Sequence, residues 1–258
     1  MEILVCAKRV PDTSENEIEL KRAGNDIERD DLVYSINEPD NYAVEEALEM
    51  VDRAGGSVTV VTVGTEEDEE ILRREMAMGA RNAALISDEA FEGSDGRTTA
   101  AILEAFVRKG HYDLILTGVQ ADDGCAQVGG MLAAMLDYPF ASLVTSIEIE
   151  DSGNLKIGRE IEGGAREFHS IDLPCVLSIQ TGINEPRYVG MRGIRQVASV
   201  PIPTLSADDL GIAPEPPKVQ RIDYFVPPAG KGAEMLQGSR EANIEKLIEL
   251  LKAKGGIN

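Results

Sequence analysis

Apolar positions along the chain fall into two textures. Ile3 to Cys6, Val58 to Val63, Ala83 to Ile86 and Leu114 to Leu116 are short runs of apolar or β-branched residues, the pattern of strands buried on both faces. Between them the spacing turns helical. Ala43, Val44, Ala47, Leu48 and Val51 share one face of a helix over 42–51. Residues 66–78 predict a helix whose acidic first turn suits the helix dipole. Residues 98–107 and 127–136 complete the series. Strands of this type alternating with helices predict an α/β fold, a mostly parallel sheet with helices on both faces.

The texture changes after Leu136. Leu143 to Ile149, Leu155 to Ile161 and Phe168 to Ile171 alternate and are split by turn signals such as Asp151-Ser-Gly-Asn154, so they predict a small antiparallel segment. Cys175 to Ile179 returns to the buried type. From Pro201 onward prolines recur, at Pro203, Pro214, Pro216, Pro217, Pro227 and Pro228, and predict an extended arm with few internal contacts. The arm ends in an amphipathic helix. Ser239 is its N-cap, Glu241 and Glu245 sit early, Lys252 and Lys254 late, and Gly255 supplies a left-handed stop. Ile244, Leu247, Ile248 and Leu251 form one stripe, to be buried on the chain's own domain or on a partner. The expected division is an α/β domain over 1–212 and a C-terminal arm with helix over 213–258.

Charge and chemistry narrow the field. Net charge is −21. Such a surface repels phosphodiester backbones, so nucleic acid is not an expected partner. No apolar run approaches about 18 residues, so no membrane insertion is expected. Met1-Glu-Ile-Leu-Val-Cys-Ala7 lacks the basic start and cleavage site of a secretory signal. Cys6, Cys125 and Cys175 are odd in number and far apart, which points to a reducing, cytoplasmic setting without a disulfide frame or cysteine-held cluster. His111 reads as a surface residue, His169 as a structural one, and Asp122 and Asp123 as a loop turn. No catalytic residue and no metal site is expected. With no Trp and few aromatics, a flavin ring would need surface from another subunit. The shortage of acid–base groups fits a chain that positions a cofactor.

The most informative stretch runs from Asp113-Leu-Ile-Leu-Thr-Gly118 through a loop of small and acidic residues to a helix opening near Gln127. A strand, a Gly-containing loop and a helix start can hold a phosphate, because free amides at the helix start point at the anion. The same design also serves as a plain connection. Further motifs accompany it: Ala7-Lys-Arg-Val-Pro11, Ala43-Val-Glu-Glu-Ala47, Ala77-Met-Gly-Ala80, Arg159-Glu-Ile-Glu-Gly-Gly164 and Asn184-Glu-Pro-Arg-Tyr188. Together, in this order and over roughly 1–212, they resemble the beta subunit of electron-transfer flavoprotein.

The resemblance implies a fold like that of the adenine-nucleotide alpha hydrolases, and a partner, the alpha subunit. An FAD performing electron transfer would be shared with, and held mainly by, that subunit. The beta subunit itself would bury one AMP, or in electron-bifurcating members a second FAD in its place. The nucleotide site would comprise Cys6 and Ala7, Asn37, Val63 and Gly64, Gly118, and Asp123, Gly124, Cys125, Ala126, Gln127, Val128 and Gly129. The 184–194 loop would dock an acyl-CoA dehydrogenase-type partner. Met191 takes the position of its apolar anchor, Glu185 and Arg187 fix its base, and Tyr188 belongs to the same segment; Leu247 would face the alpha subunit.

One departure leaves the occupant open. Ala126-Gln-Val-Gly129 stands where AMP-type members often carry Asn-Gln-Thr-Gly, and is similar to bifurcating members. Yet the flanks Asp122-Asp-Gly-Cys125 and Gly130 differ from theirs. AMP is placed first as the commoner ligand. Three functions follow: a carrier of electrons from acyl-CoA-type dehydrogenases, an enzyme bifurcating electrons from NADH, or a stand-alone nucleotide-binding stress protein. A stand-alone domain has no use for the arm and its helix.

Overall fold

The computed structural model describes all residues except Asp123, Pro214, Lys231, Ile257 and Asn258. Its elements are β1 (Glu2–Cys6), β2 (Arg9–Pro11), β3 (Tyr34–Ile36), α1 (Glu38–Ala54), β4 (Ser57–Val63), α2 (Glu69–Met78), β5 (Asn82–Ile86), α3 (Gly96–Val107) and β6 (Leu114–Gly118). Then follow α4 (Val128–Leu136), β7 (Phe140–Ile149), β8 (Leu155–Ile161), β9 (Ala165–Ile171), β10 (Cys175–Ile179), α5 (Met191–Val197), β11 (Thr204–Leu205), α6 (Ala207–Leu210) and α7 (Arg240–Ala253).

Among the described residues nine strands form one sheet, ordered β11-β5-β4-β1-β6-β10-β7-β8-β9. From β11 to β7 every pairing is parallel; β8 and β9 extend the sheet antiparallel. Alternate strand residues enter two cores. Ile3 and Val5 of β1 pack with Val44, Leu48, Leu72 and Met76 of α1 and α2. Leu4 packs with Ile102, Phe106 and Leu132 of α3 and α4 on the other face. Both cores are closed by aliphatic side chains, each worth roughly 1.5–3 kcal/mol when fully buried. The α/β class with helices on both faces is as the sequence predicts.

Several details differ. β7 begins at Phe140 and pairs parallel with β10 before it pairs antiparallel with β8. Leu143 takes φ +60° where the register slips, so the alternation there is locally broken. Residues beyond Pro201 are not yet free arm. β11 pairs with β5, and α6 packs Ala207 and Leu210 into the second core. Ser206 caps α6 and shares a reciprocal capping box with Asp209, a local signal strong enough to fold one turn.

The chain divides into two compact units, Met1–Glu19 with Glu28–Ile222, and Leu20–Ile27 with Asp223–Asn258. In the second, Tyr224 N–H donates to Gly24 O at 2.7 Å. Its helix α7 is capped by Ser239, whose side chain accepts from Ala242 N–H, and ends near Gly255 at φ +72°. Ile244, Leu247, Ile248 and Leu251 are 39–49% exposed.

Candidate functional site

The strand order places a switch point beside β1. From β1 the chain moves one way, to β4 and β5, then returns to lay β6 on β1's other side. Ligands of open α/β sheets bind outside the carboxyl ends of strands at such a point. Cys6 stands level with Val61 and Thr117, so Ala7, Val63, Gly64 and Gly118 close the ends of three neighbouring strands. Ala7 N–H donates to Val61 O, and Gly64 N–H to Ile86 O. Burial and the nearby Asp40 push the Cys6 thiol up, so it stays neutral.

Helix α1 fastens this edge. Asp40, buried, accepts from Lys8 N–H at 2.9 Å with one oxygen and from Gly118 N–H at 2.8 Å with the other. Residue 118 has to be glycine: a Cβ there would land on that carboxylate and 2.8 Å from Pro39 Cβ. Desolvation raises the Asp40 carboxyl to about 7, against the opposing pull of its N–H donors. Asn37 is also buried. Its Nδ2 donates to Gln120 O at 2.9 Å, while its Oδ1 has no partner among the described residues. A buried acceptor without a donor is costly and marks a place where a bound group can supply one.

The loop from residue 119 leads to the start of α4. Ala126 holds φ +54°, and Gly124, Cys125, Ala126 and Gln127 are exposed. Asp123 lies outside the described residues. The sequence places the first helical residue near Gln127; the helix opens at Val128, with no side-chain cap bond from Gln127. Its first amides are thereby left for solvent or an anion. Gly129 is set by the sheet beneath. Its Cβ would meet Ser178 Oγ and, at 2.9 Å, Thr117 Oγ1, which hydrogen-bond each other at 2.8 Å. Bulk at Gly129 therefore unseats α4 from the sheet before it reaches any ligand.

The 184–191 segment hangs from the same helix α1. Arg187 lies against buried Glu45: Nε and Nη2 donate to its carboxylate at 2.9–3.0 Å, and the backbone N–H of Arg187 donates to Oε2 at 2.9 Å. Hydrogen bonding to Glu45 raises the Arg187 guanidinium further. Asn184 Nδ2 donates to Tyr42 O at 3.1 Å and Glu46 Oε2 at 3.2 Å. Glu185, expected to help fix this base, is exposed instead, and Asn184 does that work. Tyr188 is 93% and Met191 65% exposed. Met191 does not lie on an open loop; it opens the short helix α5.

Sequence reasoning missed the carboxylates beneath both features. Asp40, Glu45 and Glu46 are buried on α1, and Glu75 on α2 is wholly buried. A signal existed: Glu46 falls on the same helical face as Ala43, Ala47 and Met50, where a solvated acid has no place. His169, expected to be structural, stands exposed on β9 beside Glu167; His111 is exposed near Asp113. Among the described residues no group of three or more His, Cys, Asp or Glu is placed to hold a metal ion. Among the described residues no helix is long and apolar enough to cross a membrane.

These features define a doubly wound α/β domain whose strand ends meet at a switch point beside β1, with a separate exposed segment pinned to helix α1. The comparisons then give the family. A sequence model of the electron transfer flavoprotein domain matches residues 25–210. Over 97% of this chain and 98% of its own length, the electron transfer flavoprotein subunit beta of Methylophilus methylotrophus is 35% identical. That of Bacillus subtilis (strain 168) is 33% identical over the whole of both chains. The caffeyl-CoA reductase-Etf complex subunit CarD of Acetobacterium woodii is 39% identical over 98% of this chain and 99% of its own. The chain belongs to the electron transfer flavoprotein family, among its beta subunits. Beta subunits of this family pair with an alpha subunit and take part in flavin-associated electron transport.

Proposed function

We infer that this chain is the beta subunit of a heterodimer that carries electrons from an acyl-CoA-type dehydrogenase to a downstream acceptor, with AMP buried in the switch-point crevice. The observation that carries the nucleotide is the pairing of the unpartnered Asn37 Oδ1 with the uncapped start of α4 across the ends of β1, β4 and β6. The first offers an acceptor to a hydroxyl or amino group, the second a row of amides to a phosphate. An FAD held mainly by the alpha subunit supplies the redox chemistry. This chain's contribution is to bind, position and dock. Asn184 and Arg187 fix the segment that presents Tyr188 and Met191 to the dehydrogenase. The Leu247 stripe of α7 seats on the alpha subunit. A CoA-thioester oxidoreductase as partner is supported by two relatives' names, the caffeyl-CoA reductase complex subunit and an acryloyl-CoA reductase electron transfer subunit gamma from Anaerotignum propionicum, 32% identical.

A second reading has its own observation. Ala126-Gln-Val-Gly129 lacks the Asn amide and Thr hydroxyl of AMP-type loops, and suits a second FAD in an NADH-oxidising, bifurcating complex. Both ligands share the adenosine phosphate that the crevice would hold. The test is to co-purify the heterodimer, denature it, and identify released nucleotides by mass. One FAD with one AMP is expected. Two FAD per heterodimer would shift the function to the second reading, and FAD with no further adenine nucleotide would remove the crevice from both.

A further inference from the structure

The root of the C-terminal arm is held by a side chain that no part of the electron-transfer reading uses. Asp95 is the N-cap of α3. Its Oδ1 accepts from Thr98 N–H at 2.8 Å, the ordinary cap bond. Its Oδ2 points the other way and accepts two backbone donors from a segment more than a hundred residues later, Lys218 N–H at 2.6 Å and Val219 N–H at 3.0 Å. Two neighbours hold the same segment to the same helix turn. Arg97 Nη1 pairs with Glu215 Oε2 at 2.8 Å, and Thr98 Oγ1 donates to Glu215 O at 3.4 Å. Lys218 Nζ closes on Glu215 at 3.6 Å. These backbone bonds hold the Asp95 carboxyl down at about 2, so it is a full anion at any working pH. One carboxylate thus serves as a helix cap on one side and as a clamp on an irregular chain on the other.

The turn it caps also borders the crevice loop. A Cβ on Gly96 would sit 2.8 Å from Gln127 Oε1 and 3.1 Å from Gln127 Cβ, so the α3 start and the loop before α4 are in direct contact. We propose that Asp95 is a positioning residue that anchors residues 215–219, the root of the C-terminal arm, on the turn beside the loop before α4, and that this anchoring supports assembly with the alpha subunit. The clamp precedes Asp223, where the second compact unit resumes. The proposal rests on the reading that the arm seats on the alpha subunit.

The test separates the two jobs of the carboxylate. Asp95→Ser and Asp95→Asn keep an acceptor for Thr98 N–H but lose the second acceptor facing Lys218 and Val219. Asp95→Ala loses both. All are made in the co-expressed heterodimer, alongside Leu247→Asp. Three readings are taken: helix content, trypsin cleavage after Lys218 and Arg221, and the heterodimer dissociation constant by dilution. The expected result is wild-type helix content in the Ser and Asn variants, with cleavage about tenfold faster and dissociation about tenfold weaker. That is the size of losing hydrogen bonds to a charged acceptor. Wild-type cleavage and dissociation in both cap-keeping variants overturn the proposal. So does a defect seen in the Ala variant alone, which would leave only the helix cap. If Leu247→Asp assembles normally, the seating of the arm fails as a reading. If Leu247→Asp is defective while the Ser and Asn variants match wild type, the anchor alone fails.

Discussion

Replacing Glu75 with Met should stabilise the protein, and increasingly so as pH rises. Glu75 on α2 is wholly buried, and neither carboxylate oxygen has a hydrogen-bond partner among the described residues. Arg74 pulls its pKa down, while Asp40 and Glu45 of α1 push it up with like charge. Desolvation above all raises the carboxyl from 4.5 to about 8. The folded state therefore holds a proton that the unfolded chain has released, over the window between those values. Stability from this group is complete below 4.5 and is lost as pH climbs through 8. At ~1.36 kcal/mol per pH unit, that interval bounds the loss at on the order of 5 kcal/mol. At pH 5 the Met variant gains only what two unsatisfied polar atoms cost, about 1–3 kcal/mol. For a chain of this size each kcal/mol moves the melting midpoint by about 2–4 °C. Thermal melts of the heterodimer at pH 5, 7 and 8.5 give the comparison, at one protein concentration because assembly shifts the midpoint. The gap between variant and wild type should widen across the series. A constant gap would mean that Glu75 does not titrate within the fold, and a less stable variant would mean that it has a partner the geometry lacks.

Other outcomes follow from the same contacts. Gly118→Ala drives a methyl onto the Asp40 carboxylate and Pro39; purified heterodimer should retain less adenine nucleotide by mass, and full occupancy would detach the crevice from nucleotide binding. Met191→Ala should weaken docking by about 2 kcal/mol, roughly 30-fold, read as slower electron transfer at sub-saturating dehydrogenase with an unchanged flavin spectrum; an unaltered rate would remove Met191 as the anchor. Leu247→Asp should give poor assembly and low flavin content, and normal yield of both would count against α7 as the seat.

The sheet was legible where one physical signal dominated. β1, β4 and β6 are buried on both faces, so continuous apolar runs announce them, and the stripe 43, 44, 47, 48, 51 announces α1. β7 was half legible, because its two ends answer to different neighbours and Leu143 breaks the alternation between them. β11 escaped because two residues preceded by prolines carry no period; it forms where β5 offers an edge. The candidate nucleotide residues came from the family resemblance; local pattern showed only a strand, a loop and a helix start, which a plain connection also has. Asp40, Glu45 and Asp95 could not be found that way. Their partners lie 78, 142 and 123 residues away, and an acid on or capping a helix looks the same whether it faces water or a distant backbone.

Helix α1 makes the two functional features inseparable as parts. Its start carries Asn37 and Asp40, which hold the backbone at Gln120 and Gly118, and its next turns carry Glu45 and Glu46, which seat Arg187 and Asn184. A docking segment transplanted from one relative to another thus arrives without its socket unless the matching positions of α1 travel with it. Since the same helix also carries residues of the proposed nucleotide site, a graft designed to change the proposed redox partner would disturb that site as well. Modular exchange in this scaffold has to be planned by helix, with 37–54 and 184–191 treated as one replaceable cassette.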